Sequence, residues 1–329
     1  MRARTAALLL LLVSFLAAPP ARVLSLPSAG QKAPEFELTT PEGEVVSSES
    51  LRGGYTLLVF FASYCSECRE RLTHLAESWG ACESARSIAV VLVGVGGSEE
   101  ANRDFVQSLG VPGWTFVQDD REVWRDFGVR YLGSWVFIGP DWTVLASGEG
   151  EIDVDMLCRL AAPPVTAPAR GYSVYGGWVD RRAAELVASQ LGLETSTVPP
   201  VRADLVVVIG GPLANPAAGK ILEGAGVSFN RTAEGVELRL PNGTALVVGG
   251  ADWAQHDYAV VLSLDRGGAL WVGAMGCTRY GTLAAAIWAA HHQALLKPGI
   301  GYLLEWSDLN GDGDVQIGEI RVASTFAIA

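Results

Sequence analysis

Phe60-Phe61-Ala62-Ser63-Tyr64-Cys65-Ser66-Glu67-Cys68-Arg69-Glu70-Arg71 is where an apolar run gives way to a helical pattern. Upstream, Tyr55 to Phe61 is aromatic and aliphatic, too short for a helix and suited to a strand buried on both faces. Downstream, Leu72, Leu75, Ala76 and Trp79 recur at helical spacing. The two thiols therefore fall on a strand-to-helix junction. At the helix N-terminus, unpaired backbone N–H groups and the positive end of the dipole favour a thiolate at Cys65. Cys68, one turn on, faces the same side, so Cys65 is expected to attack and Cys68 to resolve. Glu67 between them opposes the thiolate and is expected to make the pair more reducing than a neutral dipeptide would.

With 329 residues, about half of them apolar (49%), the chain can bury two cores. A formal charge of -12 disfavours nucleic acid and acidic membranes, which would be repelled over most of the surface. Met1-Arg2-Ala3-Arg4 followed by uncharged Ala6 to Ala18 predicts a signal peptide or N-terminal anchor over residues 1–27. The chain is thus expected to be extracytoplasmic, secreted or anchored at the cell surface. Five cysteines cannot all pair. Beyond Cys65 and Cys68, a structural disulfide between Cys82 and Cys158 is a candidate, with Cys277 left as a small buried residue.

Residues 28–162 alternate strand and helix patterns. A hairpin comes first, then the thiol helix, a buried strand at 88–95, a helix after Ser98, a hairpin around Gly139-Pro140-Asp141, and a closing helix from Asp153. Together with Ala33-Pro34-Glu35-Phe36, the Cys65-x-x-Cys68 core and Phe127-Gly128-Val129-Arg130, this order resembles the TlpA-like branch of exported thioredoxin-fold oxidoreductases. The resemblance implies thiol-disulfide exchange with protein disulfides or thiols through a redox-active disulfide. Tyr64, Glu67 and Gly133 would then line the substrate groove. Gly133 stands where that family places a cis-proline, Thr73 where a kinking proline is common, and Arg71 where an acid is frequent. A zinc site would need a second Cys or Cys/His pair, which the sequence lacks. A peroxidase would show a Pro-x-x-x-Thr-x-x approach to its cysteine, and Ala62-Ser63-Tyr64 is not one.

Residues 163–170, rich in Pro and Ala, read as a linker. A second α/β domain is expected over 171–305, with Asp180 capping a helix to Leu191, a buried strand at 204–209 and a long helix at 280–296. Gly210-Gly211-Pro212 lacks both dinucleotide and P-loop spacing, so it reads as a packing turn, and no nucleotide or haem is expected. The run Val206 to Pro216, with Thr278-Arg279-Tyr280-Gly281-Thr282, resembles a module of archaeal surface-layer and other cell-surface proteins, implying envelope components as partners. Asn230 and Asn242 head glycosylation sequons.

Within residues 306–329, Asp308, Asn310, Asp312, Asp314, Gln316 and Glu319 occupy positions 1, 3, 5, 7, 9 and 12 of an EF-hand or dockerin-like calcium loop, with Gly313 at the turn. Flanking strand patterns predict a loop borne on a hairpin, binding structural Ca2+. The whole reads as an α/β chain: a thioredoxin-like fold, a second α/β domain and a C-terminal calcium-loop hairpin. The competing class is a non-catalytic surface-layer-associated protein whose thioredoxin fold serves only structure.

Overall fold

The structure is a computed structural model describing residues 25–81, 85, 87–162, 170–200 and 202–328. The expected signal segment (bar its last three residues), the linker residues 163–169 and Cys82 lie outside the described residues.

A short hairpin, β1 (Glu37–Thr39) and β2 (Val45–Ser47), opens the first unit, and α1 (Ser48–Leu51) follows it. Then come β3 (Tyr55–Phe61), α2 (Ser66–Ser78), β4 (Ile88–Gly94), α3 (Glu99–Ser108), β5 (Thr115–Gln118), α4 (Val123–Asp126), β6 (Ser134–Ile138), β7 (Val144–Glu149) and α5 (Val154–Ala161). The sheet runs β5-β4-β3-β6-β7. β3 pairs parallel with β4 and antiparallel with β6. Six of the seven residues of β3 are buried because it lies at the centre of this sheet, with helices or loops on both faces. This is a thioredoxin-like α/β fold. The expected boundaries hold closely, and Ser98 and Asp153 cap α3 and α5 through their side chains. In this unit α1, β5 and α4 carry no earlier expectation.

The second unit holds β8 (Gly171–Tyr175), α6 (Arg181–Leu191), β9 (Glu194–Ser196), β10 (Leu205–Ile209), α7 (Pro216–Leu222), β11 (Ser228–Arg231), β12 (Gly235–Arg239) and β13 (Ala245–Gly249). It continues with β14 (His256–Arg266), β15 (Ala269–Gly276), α8 (Arg279–His291), β16 (Ile300–Ser307) and β17 (Ile320–Ala327). Seven strands form one mixed sheet, β17-β16-β14-β15-β10-β8-β9, and β11, β12 and β13 form a small sheet of their own. Helices α6 and α8 cover one face of the large sheet, while α7 and the small sheet share a core on the other. Two expectations need correcting. Asp180 precedes α6 but its side chain makes no capping bond. The long helix stops at His291, because His292 leaves helical geometry (φ -121°, ψ 45°) and stacks its ring on Trp288.

The two units share one continuous core, in which Leu157 and Leu160 of α5 belong with Leu295, Leu296 and Tyr302. Arg159 donates to the carbonyls of Gly299 (2.9 Å) and Ile328 (3.0 Å), and buried Lys297 donates to Ala162 O (2.7 Å). The first unit is thereby fixed against the hairpin that carries the acidic loop.

Candidate functional site

Cys65 sits at the N-cap of α2, on the turn closed by its own N–H to Ala62 O (3.0 Å). Its Sγ accepts the Cys68 N–H (3.1 Å), one of the amides a helix start leaves unpaired. The cysteines are joined in a disulfide with their Cα atoms 5.3 Å apart. Cys65 is partly exposed, whereas Cys68 is 1% exposed beneath it. Of the two sulfurs, the one nearer solvent is therefore also the one at the helix start.

The turn before Cys65 is held by Asn102, a residue the sequence reading passes over. Fully buried on α3, it accepts the Ser63 N–H (2.8 Å) and donates to Gly96 O (2.9 Å) and Gln118 Oε1 (3.0 Å). All three bonds lie on different segments, so one amide ties the cysteine turn to the loop after β4 and to β5. The available signal was a polar residue one turn before Phe105 and Val106, on the inward side of an amphipathic helix. Gly94 leaves room for it, since a Cβ there would come within 2.9 Å of Asn102 Nδ2.

Gly133 does face the disulfide. A Cβ on it would lie 3.8 Å from Cys68 Sγ and 3.1 Å from an Arg71 guanidinium nitrogen. Its φ is +88°, and its N–H donates to Phe60 O (2.7 Å). Proline can supply neither that torsion nor that donor, so a cis-proline is incompatible with the backbone as it stands. Arg71 fills the space instead, approaching Gly150 as well and pairing with Glu67 at 3.3 Å. The negative charge expected to make the pair reducing thus has a cation one turn away, although both side chains are solvated and the pair is weak. Tyr64 is 68% exposed and lies beside Gly97, and Tyr131, two residues before Gly133, is exposed as well. Glu67, Glu70, Glu77 and Glu151 with His74 and Arg71 make an acidic shelf of ≈ 710 Å3 beside the disulfide.

The remaining candidates are scattered. Cys158 is a disulfide-bonded half-cystine, and its expected partner Cys82 lies outside the described residues. Cys277 is a partly buried free thiol whose pKa burial pushes up. Asn230 and Asn242 are exposed. In the acidic loop between β16 and β17, the side chains turn onto the loop itself. Asp308 accepts Gly311 N–H (2.7 Å) and Gly313 N–H (2.9 Å). Glu319 accepts Leu309 N–H (3.1 Å) and Trp306 Nε1–H (3.2 Å). Among the described residues no three His, Cys, Asp or Glu side chains converge to hold a metal ion.

Residues 29–146 match the AhpC/TSA family. The thiol-disulfide oxidoreductase ResA of Bacillus subtilis is 27% identical over 130 residues, covering 40% of this chain and 72% of that protein. A second ResA, from Halalkalibacterium halodurans, is 26% identical over 133 residues, 40% of this chain and 75% of that one. Among solved structures, MTB dsbF in its mixed oxidized and reduced forms is 27% identical, covering 39% of this chain and 95% of that one at a TM-score of 0.34. Homologues of the first unit are thus named thiol-disulfide oxidoreductases.

Replacing Gly133 by proline is expected to damage this protein. Gly133→Pro removes the bond to Phe60 O and forbids the φ, costing about 1–3 kcal/mol. Chemical denaturation of the oxidised protein checks this, and an unchanged or raised midpoint contradicts it.

Proposed function

We propose that the chain is an exported thiol-disulfide oxidoreductase held at the cell envelope by its second unit. The observation that carries the reading is the partly exposed Cys65 at the start of α2, bonded to a buried Cys68. In the reduced protein the Cys65 thiolate attacks one sulfur of a substrate disulfide and expels the other as a thiolate. Cys68, deprotonated, then attacks Cys65 Sγ in the mixed disulfide, so two electrons pass to the substrate and the Cys65–Cys68 bond re-forms. The oxidised protein runs the same steps in reverse. Export is supported by the charged start and apolar run of the sequence, and the envelope location by the surface-protein resemblance of the second unit. Among the described residues no helix is long and apolar enough to cross a membrane.

A non-catalytic envelope component is the second reading, and Gly133 favours it, because the backbone beside the disulfide differs from the family's substrate groove. Insulin reduction separates the two. Wild type is expected to accelerate it, Cys65→Ser to fall to background, and Cys68→Ser to accumulate a mixed disulfide detectable by mass. Equal rates for wild type and Cys65→Ser would leave only the non-catalytic reading.

Structural calcium in the loop at 308–319 is a further proposal, supported by the run of oxygen donors at ligand spacing and by Gly313 at φ +73°. Its donor set is hard and suits Ca2+, and the Asp308 and Glu319 carboxylates, already turned onto the loop to accept its amides, keep further lone pairs for an ion. Because the loop is carried by β16 and β17, calcium is expected to raise the melting temperature, and Glu319→Gln to abolish that rise. Identical melts in calcium and in chelator would remove the ion from the account.

A further inference from the structure

The second unit contains a crevice that thiol chemistry does not use. The parallel strands β8, β10 and β15 end side by side, and the chain leaves β8 and β15 toward α6 and α8 on one face but leaves β10 toward α7 on the other. Where connections diverge in this way, the strand ends open into a cleft, the usual place for a ligand in open α/β sheets. Here the cleft is ≈ 170 Å3 and lies between the Gly211-Pro212-Leu213 turn, the start of α8 and one end of the small sheet.

Its polar groups are unusual. Asp180 lines the cleft, is 4% exposed, and sits over Gly210 so closely that a Cβ there would lie within 2.3 Å of Oδ2. That oxygen has no hydrogen-bond partner, and the carboxyl does not cap α6. Burial raises its pKa to about 6. A carboxylate near neutrality held without a partner costs stability, since such groups are ordinarily paired. Arg231 and Arg279 line the same cleft, and the only hydrogen bond described for the Arg279 guanidinium goes to the Tyr280 hydroxyl (2.7 Å). The start of α8 is not itself a vacant anion site, because Asp257 already accepts the N–H groups of Thr278 and Gly281. Between acid and arginines the wall is apolar, formed by Val179, Leu213, Phe229 and Val236. Leu213 on that wall is 66% exposed.

We infer that this cleft binds a small apolar α-amino acid as its zwitterion. The ammonium group meets Asp180, the carboxylate meets Arg231 and Arg279, and the side chain lies on the apolar wall. The volume, below the roughly 300–1,000 Å3 of sites for drug-sized ligands, limits the occupant to about one residue. An anion alone would leave Asp180 unpaired and repelled. An amine alone would meet Asp180 but be repelled by the two arginines. The inference stands apart from the exchange reaction, as no residue of the thiol site takes part.

L-leucine titrated calorimetrically into the full-length oxidised protein at neutral pH is the test. A saturable heat is expected, with binding at least about tenfold weaker for 4-methylpentanoate, which lacks the ammonium, and for 3-methylbutylamine, which lacks the carboxylate. Asp180→Asn keeps the shape and removes the charge, so it is expected to fold and to lose leucine at least about tenfold. Arg231→Ala should do the same. Wild type supplies a reading independent of either variant: Cys277, the free thiol in the cleft lining, should be alkylated more slowly with leucine present. No saturable heat up to about 10 mM, equal binding of the two half-analogues, or undiminished binding by a folded Asp180→Asn would each overturn the inference.

Discussion

The turn at 62–65 between the central strand and α2 is the constraint on which the site depends. A strand buried on both faces cannot shift without exposing apolar side chains, so β3 fixes where the chain emerges. The helix that follows leaves its first amides unpaired, and Cys65 Sγ takes one of them. Asn102 then removes the freedom left in the turn by bonding three segments at once. The Cys65 sulfur is thus placed by sheet packing, helix geometry and one buried amide.

Around that fixed sulfur the surroundings are built in a connected way. Gly133 takes a left-handed torsion, its amide is spent on Phe60, and the space beside Cys68 goes to Arg71. A glycine without its guanidinium neighbour would leave the buried sulfur more open, and an acid at position 71 would add to the charge of Glu67. Glycine and arginine therefore act together across two elements. The result is a cationic edge beside the disulfide facing a shelf otherwise acidic.

The sequence carried most of the first unit because its signals are local. Tyr55 to Phe61, the caps at Ser98 and Asp153, and the Cys65-x-x-Cys68 spacing each depend on neighbours within a turn or two. What it did not carry depends on distant partners. Asn102 looks like any polar helix residue until Ser63 and Gln118 are brought to it. Asp180 looks like a cap until its carboxyl is seen to lie over Gly210. The loop at 308–319 has ligand spacing in the sequence, yet spacing does not reveal that Glu319 is bonded to Trp306. The shared core joining the two units arises from α5 and β16, far apart in the chain, and periodicity cannot report such a pairing.

The central claim is that Cys65 and not Cys68 is the attacking thiol. Alkylating the fully reduced protein with substoichiometric iodoacetamide across a range of pH, and locating the label by peptide mass, tests it most directly. The account predicts label at Cys65 first, with a titration midpoint below that of an ordinary thiol, as expected at a helix N-terminus. Label arriving first at Cys68, or equally at both with an ordinary midpoint, would contradict it.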